Sequence, residues 1–173
     1  ADERRFPADE RRRRRDGRRV NPALALWKRC EGLPFGKSIF SRLICWRAPY
    51  FGSIAPRFEE SRPGRVRVSM RKRRAVTNHI GTVHAIAMCN LAELAAGTMT
   101  EITIPASMRW LPKGMTVEYV KKAQSGVEAV ASHEGIGEGP AREVPVAVDI
   151  RDANGETVCR ATIAMWVSPR KKP

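Results

Sequence analysis

Thr82 to Gly97 reads TVHAIAMCNLAELAAG, a stretch rich in Ala, Leu and Met with no β-branched run after Val83. Ala, Leu and Met are strong helix formers, and a glycine at the close of such a stretch commonly stops a helix. The composition predicts a helix of about four turns, ended by Gly97. Glu93 is its one Asp, Glu, Lys or Arg, so the helix is apolar around most of its circumference and needs burying on most sides. Something must wrap it.

The flanking sequence supplies strands. After the turn pair Pro63-Gly64, Val66, Val68 and Met70 alternate with Arg65, Arg67, Ser69 and Arg71, the mark of a strand with one buried face. Met115 to Ala123, Val127 to Ser132, Val144 to Ile150 and Val158 to Val167 behave alike, and Cys159, Ala161, Ile163, Met165 and Val167 form one apolar stripe. Asn154-Gly155 marks a hairpin between the last two strands. Upstream, Asn21-Pro22 suits a helix start, with Ala23, Leu24, Leu26 and Trp27 at helical spacing and an end near Gly32. Ile39, Phe40, Leu43, Ile44 and Trp46 repeat that spacing and stop before Pro49. Short links imply antiparallel pairing. The expected class is α+β: a curved antiparallel sheet wrapped around a central long helix, with an N-terminal helical cover.

Length and charge narrow the function classes. A chain of 173 residues with 42% apolar residues fills a single core. Residues 1–20 carry nine Arg and five acids, repeat Ala-Asp-Glu-Arg-Arg at 1–5 and 8–12, and offer almost nothing to bury. They read as a disordered basic N-terminal extension, and residues 21–173 as one domain. The net charge of +14 lies mostly on the body. Nucleic acid is disfavoured as a partner, because no zinc-finger spacing, aromatic RNA-binding strand or Gly-rich phosphate loop accompanies the charge. No stretch reaches the ~20 apolar residues of a membrane span. Cys30, Cys45, Cys89 and Cys159 form no close pair, which fits free thiols in a reducing cytoplasm.

Two features carry chemistry. A carboxylate on an apolar helix is unusual enough to single out Glu93 as a functional group or a packing one. Just before the helix stands Asn78-His79-Ile80-Gly81-Thr82-Val83-His84. A glycine leading into a helix start presents backbone N–H groups and a positive dipole end, which suit a developing oxyanion. Asn78, His79 and His84 crowd around Gly81. Ala85 and Glu93 are eight residues apart, about 12 Å along one helix, so one carbonyl cannot touch both. A two-fold partner with an antiparallel neighbouring helix would bring them together. The histidines lack the partners of a zinc site, so no metal is expected. His133-Glu134-Gly135 and the following glycines read as a long hairpin loop.

The order of elements, with N-H-I-G-T-V-H-A at 78–85, L-A-E-L-A-A-G at 91–97 and M-R-W-L-P-K-G-M-T-V-E-Y at 108–119, resembles the hotdog-fold thioesterases of the phenylacetyl-CoA and 4-hydroxybenzoyl-CoA types. It is most similar to an uncharacterised bacterial branch of that superfamily, over residues 35–168. The resemblance implies hydrolysis of an acyl-CoA in a homodimer or dimer of dimers, with no cofactor beyond the coenzyme A of the substrate. It implies Glu93 as base or nucleophile, Asn78 as its assistant, His84 as a shaper of the site and the Ala85 N–H as the group that polarises the thioester carbonyl. His79 and Gly81 belong to the same substrate-binding loop. Where the family has His-Gly-Gly, this chain has His84-Ala85-Ile86. Arg109, Lys113, Lys121 and Lys122 are the expected contacts for coenzyme A phosphates, and Met108 and Trp110 line the acyl tunnel or pack the core. The alternatives are a non-catalytic acyl-CoA or fatty-acid-binding hotdog protein and a hotdog dehydratase or hydratase.

Overall fold

Asn21 opens the part of the chain that the structure, a computed structural model, describes: residues 21–170. The expectation for residues 1–20 lies outside it. Helix α1 (Pro22–Cys30) starts where Asn21 Oδ1 accepts from the Ala23 and Leu24 amides at 2.9 and 3.4 Å. Helix α2 (Gly36–Arg47) begins after a turn over residues 31–35. Gly36 is required there, because a Cβ would sit 1.7 Å from the Cys30 carbonyl oxygen. Trp27, Phe40 and Phe58 stack edge to face, with centroids 5.1 and 5.0 Å apart, and lock both helices onto the sheet. The outward face of α2 and the residues after it leave Ile39, Leu43, Trp46 and Tyr50 exposed.

After a 3-10 turn at Pro49–Ile54 come β1 (Arg57–Arg62), β2 (Arg65–Met70), a second 3-10 turn at Arg74–Val76, the central helix α3 (Ala85–Thr103), β3 (Met108–Tyr119), β4 (Val127–Ser132), β5 (Arg142–Asp152) and β6 (Thr157–Pro169). The strands form one antiparallel sheet in the order β1-β2-β4-β5-β6-β3. β1 and β3 are its edges. Val66, Val68, Val146, Val148, Ile163 and Met165 are buried on the face toward α3, whose Leu91, Ala95 and Met99 are fully buried. This is the hotdog architecture the sequence suggested: a sheet rolled around an apolar helix.

Two expectations are corrected. Gly97 does not stop α3, which continues to Thr103. A Cβ at Gly97 would lie 2.9 Å from Trp110 Cη2, so its missing side chain serves the close approach of β3. The third strand starts at Met108, not Met115, and ends at Tyr119. Pro112 and an edge position break its alternation, and the register with β6 shifts between Pro112 and Gly114. Among the described residues no helix is long and apolar enough to cross a membrane.

Candidate functional site

The loop ahead of α3 is built around Asn78. Its Oδ1 accepts from the Ile80 and Thr82 amides at 3.2 and 3.0 Å, and its Nδ2 donates to Thr82 Oγ1 at 2.8 Å. The Asn78 N–H donates to the Thr82 carbonyl at 2.9 Å, and the Gly81 N–H donates to the Asn78 carbonyl at 3.1 Å. Gly81 adopts φ +77 with open space where a Cβ would be; its glycine answers a conformational need. The loop is then stitched to the body: Val83 N–H to the Ala123 carbonyl at 2.9 Å, and His84 N–H to the Val76 carbonyl at 2.8 Å.

This stitching aims the start of α3. His84 is the N-cap, and its Nδ1 accepts from the Ile86 N–H at 3.1 Å. The Ala87 and Met88 amides both donate to the His84 carbonyl, at 3.0 and 3.2 Å. The Ala85 amide is left without a hydrogen-bond partner among the described residues. It is the one first-turn donor still available to a ligand, at the positive end of a 19-residue helix.

Glu93 lies two turns further along, half-buried, with neither a hydrogen bond nor an ion pair among the described residues. Its face can be located from its neighbours. Cys89 Sγ sits 3.2 Å from the Tyr119 hydroxyl, and Gly97 touches Trp110. Residues 89, 93 and 97 fall on one line of a helix, so Glu93 faces edge strand β3 between Trp110 and Tyr119. Trp110 closes this strip at its far end, where its Nε1 donates to Glu101 Oε2 at 2.7 Å. Glu101 in turn accepts from Asn21 at 2.9 Å. Burial pushes the Cys159 thiol, on the neighbouring strand, up to about 11, with the Cys89 and Glu118 charges adding to the effect. The hydrogen bond with Cys89, then burial, pushes the Tyr119 phenol up to about 12.

Of the residues singled out in the sequence, Asn78, His79, Gly81, His84 and Ala85 come together in this loop. Lys121 and Lys122 lie beside it, next to Ala123. Lys121 pairs with Glu156, whereas Lys122 is exposed. Arg109 stands just past the opposite end of α3, about 28 Å of helix away, and donates to Ser168 Oγ at 3.2 Å. Lys113 lies over the Trp166 ring at 4.8 Å and 3.7 Å from Glu143. Within one chain neither reaches the loop. Met108 is buried in the core and Trp110 covers α3. Thr82, which holds the loop shut, and Glu101 were not anticipated; their partners lie too irregularly in sequence to signal them. Among the described residues no three His, Cys, Asp or Glu gather as metal ligands.

Residues 36–167 match the family model described as a domain of unknown function, DUF4442. The chain belongs to that family. Among solved structures it resembles a structural-genomics protein at 48% identity and TM-score 0.75, covering 86% of this chain and 98% of that one. It also resembles a thioesterase family protein from Silicibacter pomeroyi at 19% identity and TM-score 0.64, over 75% and 96% of the two chains. A thioesterase from Haemophilus influenzae is similar at 13% identity and TM-score 0.62, over 69% and 82%. No curated protein matches the chain. At such identities the two thioesterases establish a shared fold and nothing further.

Proposed function

We propose that this DUF4442 protein is an acyl-CoA thioesterase whose site forms between two copies of the chain. One observation carries the reading: the unpartnered Ala85 amide heads a helix whose sole carboxylate in the first three turns, Glu93, faces the open sheet edge. Pairing two copies along β3 would set the α3 helices side by side and antiparallel, with Glu93 of one opposite the Ala85 amide of the other. Exposed Leu111, Tyr119, Val120 and Ile86 border that edge, and their burial would favour the association.

In this arrangement the thioester carbonyl oxygen accepts from the Ala85 N–H, which stabilises the oxyanion as the carbon becomes tetrahedral. Glu93 either takes a proton from water, whose oxygen attacks the carbonyl carbon, or attacks that carbon itself. The C–S bond breaks; in the first route the thiolate takes the proton that Glu93 removed from water and the acyl group departs as the free acid, and in the second water hydrolyses the acyl–Glu93 anhydride, which frees the acid, supplies the thiolate's proton and restores the carboxylate. Asn78 has both ends of its amide engaged in the loop, so it positions the Ala85 amide through Thr82 and His84. Release of free thiol from a panel of acyl-CoAs tests the proposal. Turnover by the wild type that is lost in Glu93→Ala, with the fold intact, supports it, and retained turnover in the variant rejects the role of Glu93.

The second reading, binding without hydrolysis, is favoured by Ala85 and the exposed Ile86 standing where the 4-hydroxybenzoyl-CoA-type thioesterases that the sequence resembles have two glycines. Tight acyl-CoA binding with no thiol release across the panel would select it.

A further inference from the structure

Arg71, Lys72, Arg73 and Arg74 follow β2 as four successive exposed cations. Several other bases are matched: Lys37 and Arg57 on Glu59, Arg62, Arg65 and Arg67 on Glu60, Lys121 on Glu156. None of the four has a carboxylate partner among the described residues. Arg73 donates to the Ser53 carbonyl at 2.6 Å and Lys72 to the Gln124 carbonyl at 3.0 Å, which pins the segment to the body. Arg71 and Arg74 make no hydrogen bond through their side chains among the described residues.

The segment is tied to the loop ahead of α3. Arg74 is two residues before Val76, whose carbonyl takes the His84 N–H at 2.8 Å, and Ala85 follows His84. Chain geometry therefore keeps Arg74 within about 20 Å of the Ala85 amide. Lys122 joins from the other side, since Lys72 and Val83 both bind the loop that carries it. Crowding like charges beside the positive end of a helix is unfavourable until an anion arrives. The cluster is also compact. A protein partner would need about 800 Å² of surface on each side, whereas a small polyphosphate needs only these few side chains.

We infer that Arg71, Lys72, Arg74 and Lys122 dock the phosphate groups of the coenzyme A moiety, so that the thioester arm runs from this rim to the Ala85 amide. The inference rests on the acyl-CoA reading and moves the phosphate contacts away from Arg109 and Lys113. Its test is calorimetric titration of free coenzyme A into the full-length protein, Arg71→Glu/Arg74→Glu and Lys28→Glu/Arg29→Glu. The last changes the net charge equally but on α1. Affinity should fall by about tenfold or more in the first variant, and by under about twofold in the second. In turnover, the ratio of KM for an acyl-CoA to KM for the same acyl group on pantetheine should rise in the first variant alone. Circular dichroism checks that both fold. Equal losses in the two variants, no loss in the first, or a cation-dependent preference for acyl carrier protein over coenzyme A would overturn the docking site. Coenzyme A binding that depends on Arg71 and Arg74 in a protein that hydrolyses no acyl-CoA would keep the docking site and reject the hydrolase reading.

Discussion

Gly97 and Trp110 show how one residue type can answer two physical demands. In the helix interior Ala is better than Gly by about 1 kcal/mol, but a methyl at 97 would press on the Trp110 ring, and overpacking costs about 1–3 kcal/mol. Gly97→Ala is therefore expected to be neutral to mildly destabilising in urea unfolding. In a Trp110→Leu background the same change should stabilise by about 1 kcal/mol, and the reversal of sign identifies the contact. Ala85 offers a cleaner probe of chemistry. It is the first residue of α3, and His84 before it is extended, at φ −65 and ψ 136, a conformation that a following proline accepts. Ala85→Pro thus removes the amide hydrogen while keeping the helix. The expected result is a near-native melting curve with turnover lowered by about 10²–10³-fold, the cost of one oxyanion donor.

At the scale of elements, the loop 77–84 is a device for holding a helix start. Asn78→Ala removes three side-chain hydrogen bonds at once, and leaves the Thr82 amide and hydroxyl without these partners. A loss of about 1–3 kcal/mol follows, read in thermal unfolding, together with reduced turnover as the Ala85 amide loses its aim. Much at this scale was legible. Val127 to Ser132 was bounded to the residue, because one buried face imposes strict alternation. β3 was not, because an edge strand with Pro112 and exposed Leu111 has no such constraint. The α3 terminus is not legible, because a glycine chosen for close packing looks identical in sequence to one chosen to stop a helix. Glu93 stood out as a lone acid. The nearness of Arg71 and Arg74 to the site did not, since it depends on the Val76–His84 bond that only the folded chain makes.

At the scale of the molecule the acids are few, and most of those among the described residues are employed. Burial pushes the Glu59 carboxyl up, but hydrogen bonds from Lys37 and Ser69 and the Arg57 charge outweigh it and hold it below its ordinary 4.5. Glu60 is likewise held down against burial by Arg62 and Arg65. A carboxylate lowered in the folded state binds fewer protons than in the unfolded chain, so its contribution is present in full above the ordinary value and vanishes as pH falls through the lowered one. The melting temperature should therefore drop as pH falls below about 4.5, and more shallowly in Glu59→Gln.

The interfacial site is the claim on which the functional account turns, and subunit complementation tests it. Glu93→Ala and Ala85→Pro should each retain under about 1% of wild-type turnover alone. In a proposed dimer that pairs Ala85 of one copy with Glu93 of the other, a mixed dimer rebuilds one intact site, so co-folding the two variants in equal amounts should restore about a quarter of wild-type turnover. No recovery in a preparation proven to contain mixed dimers would contradict the account.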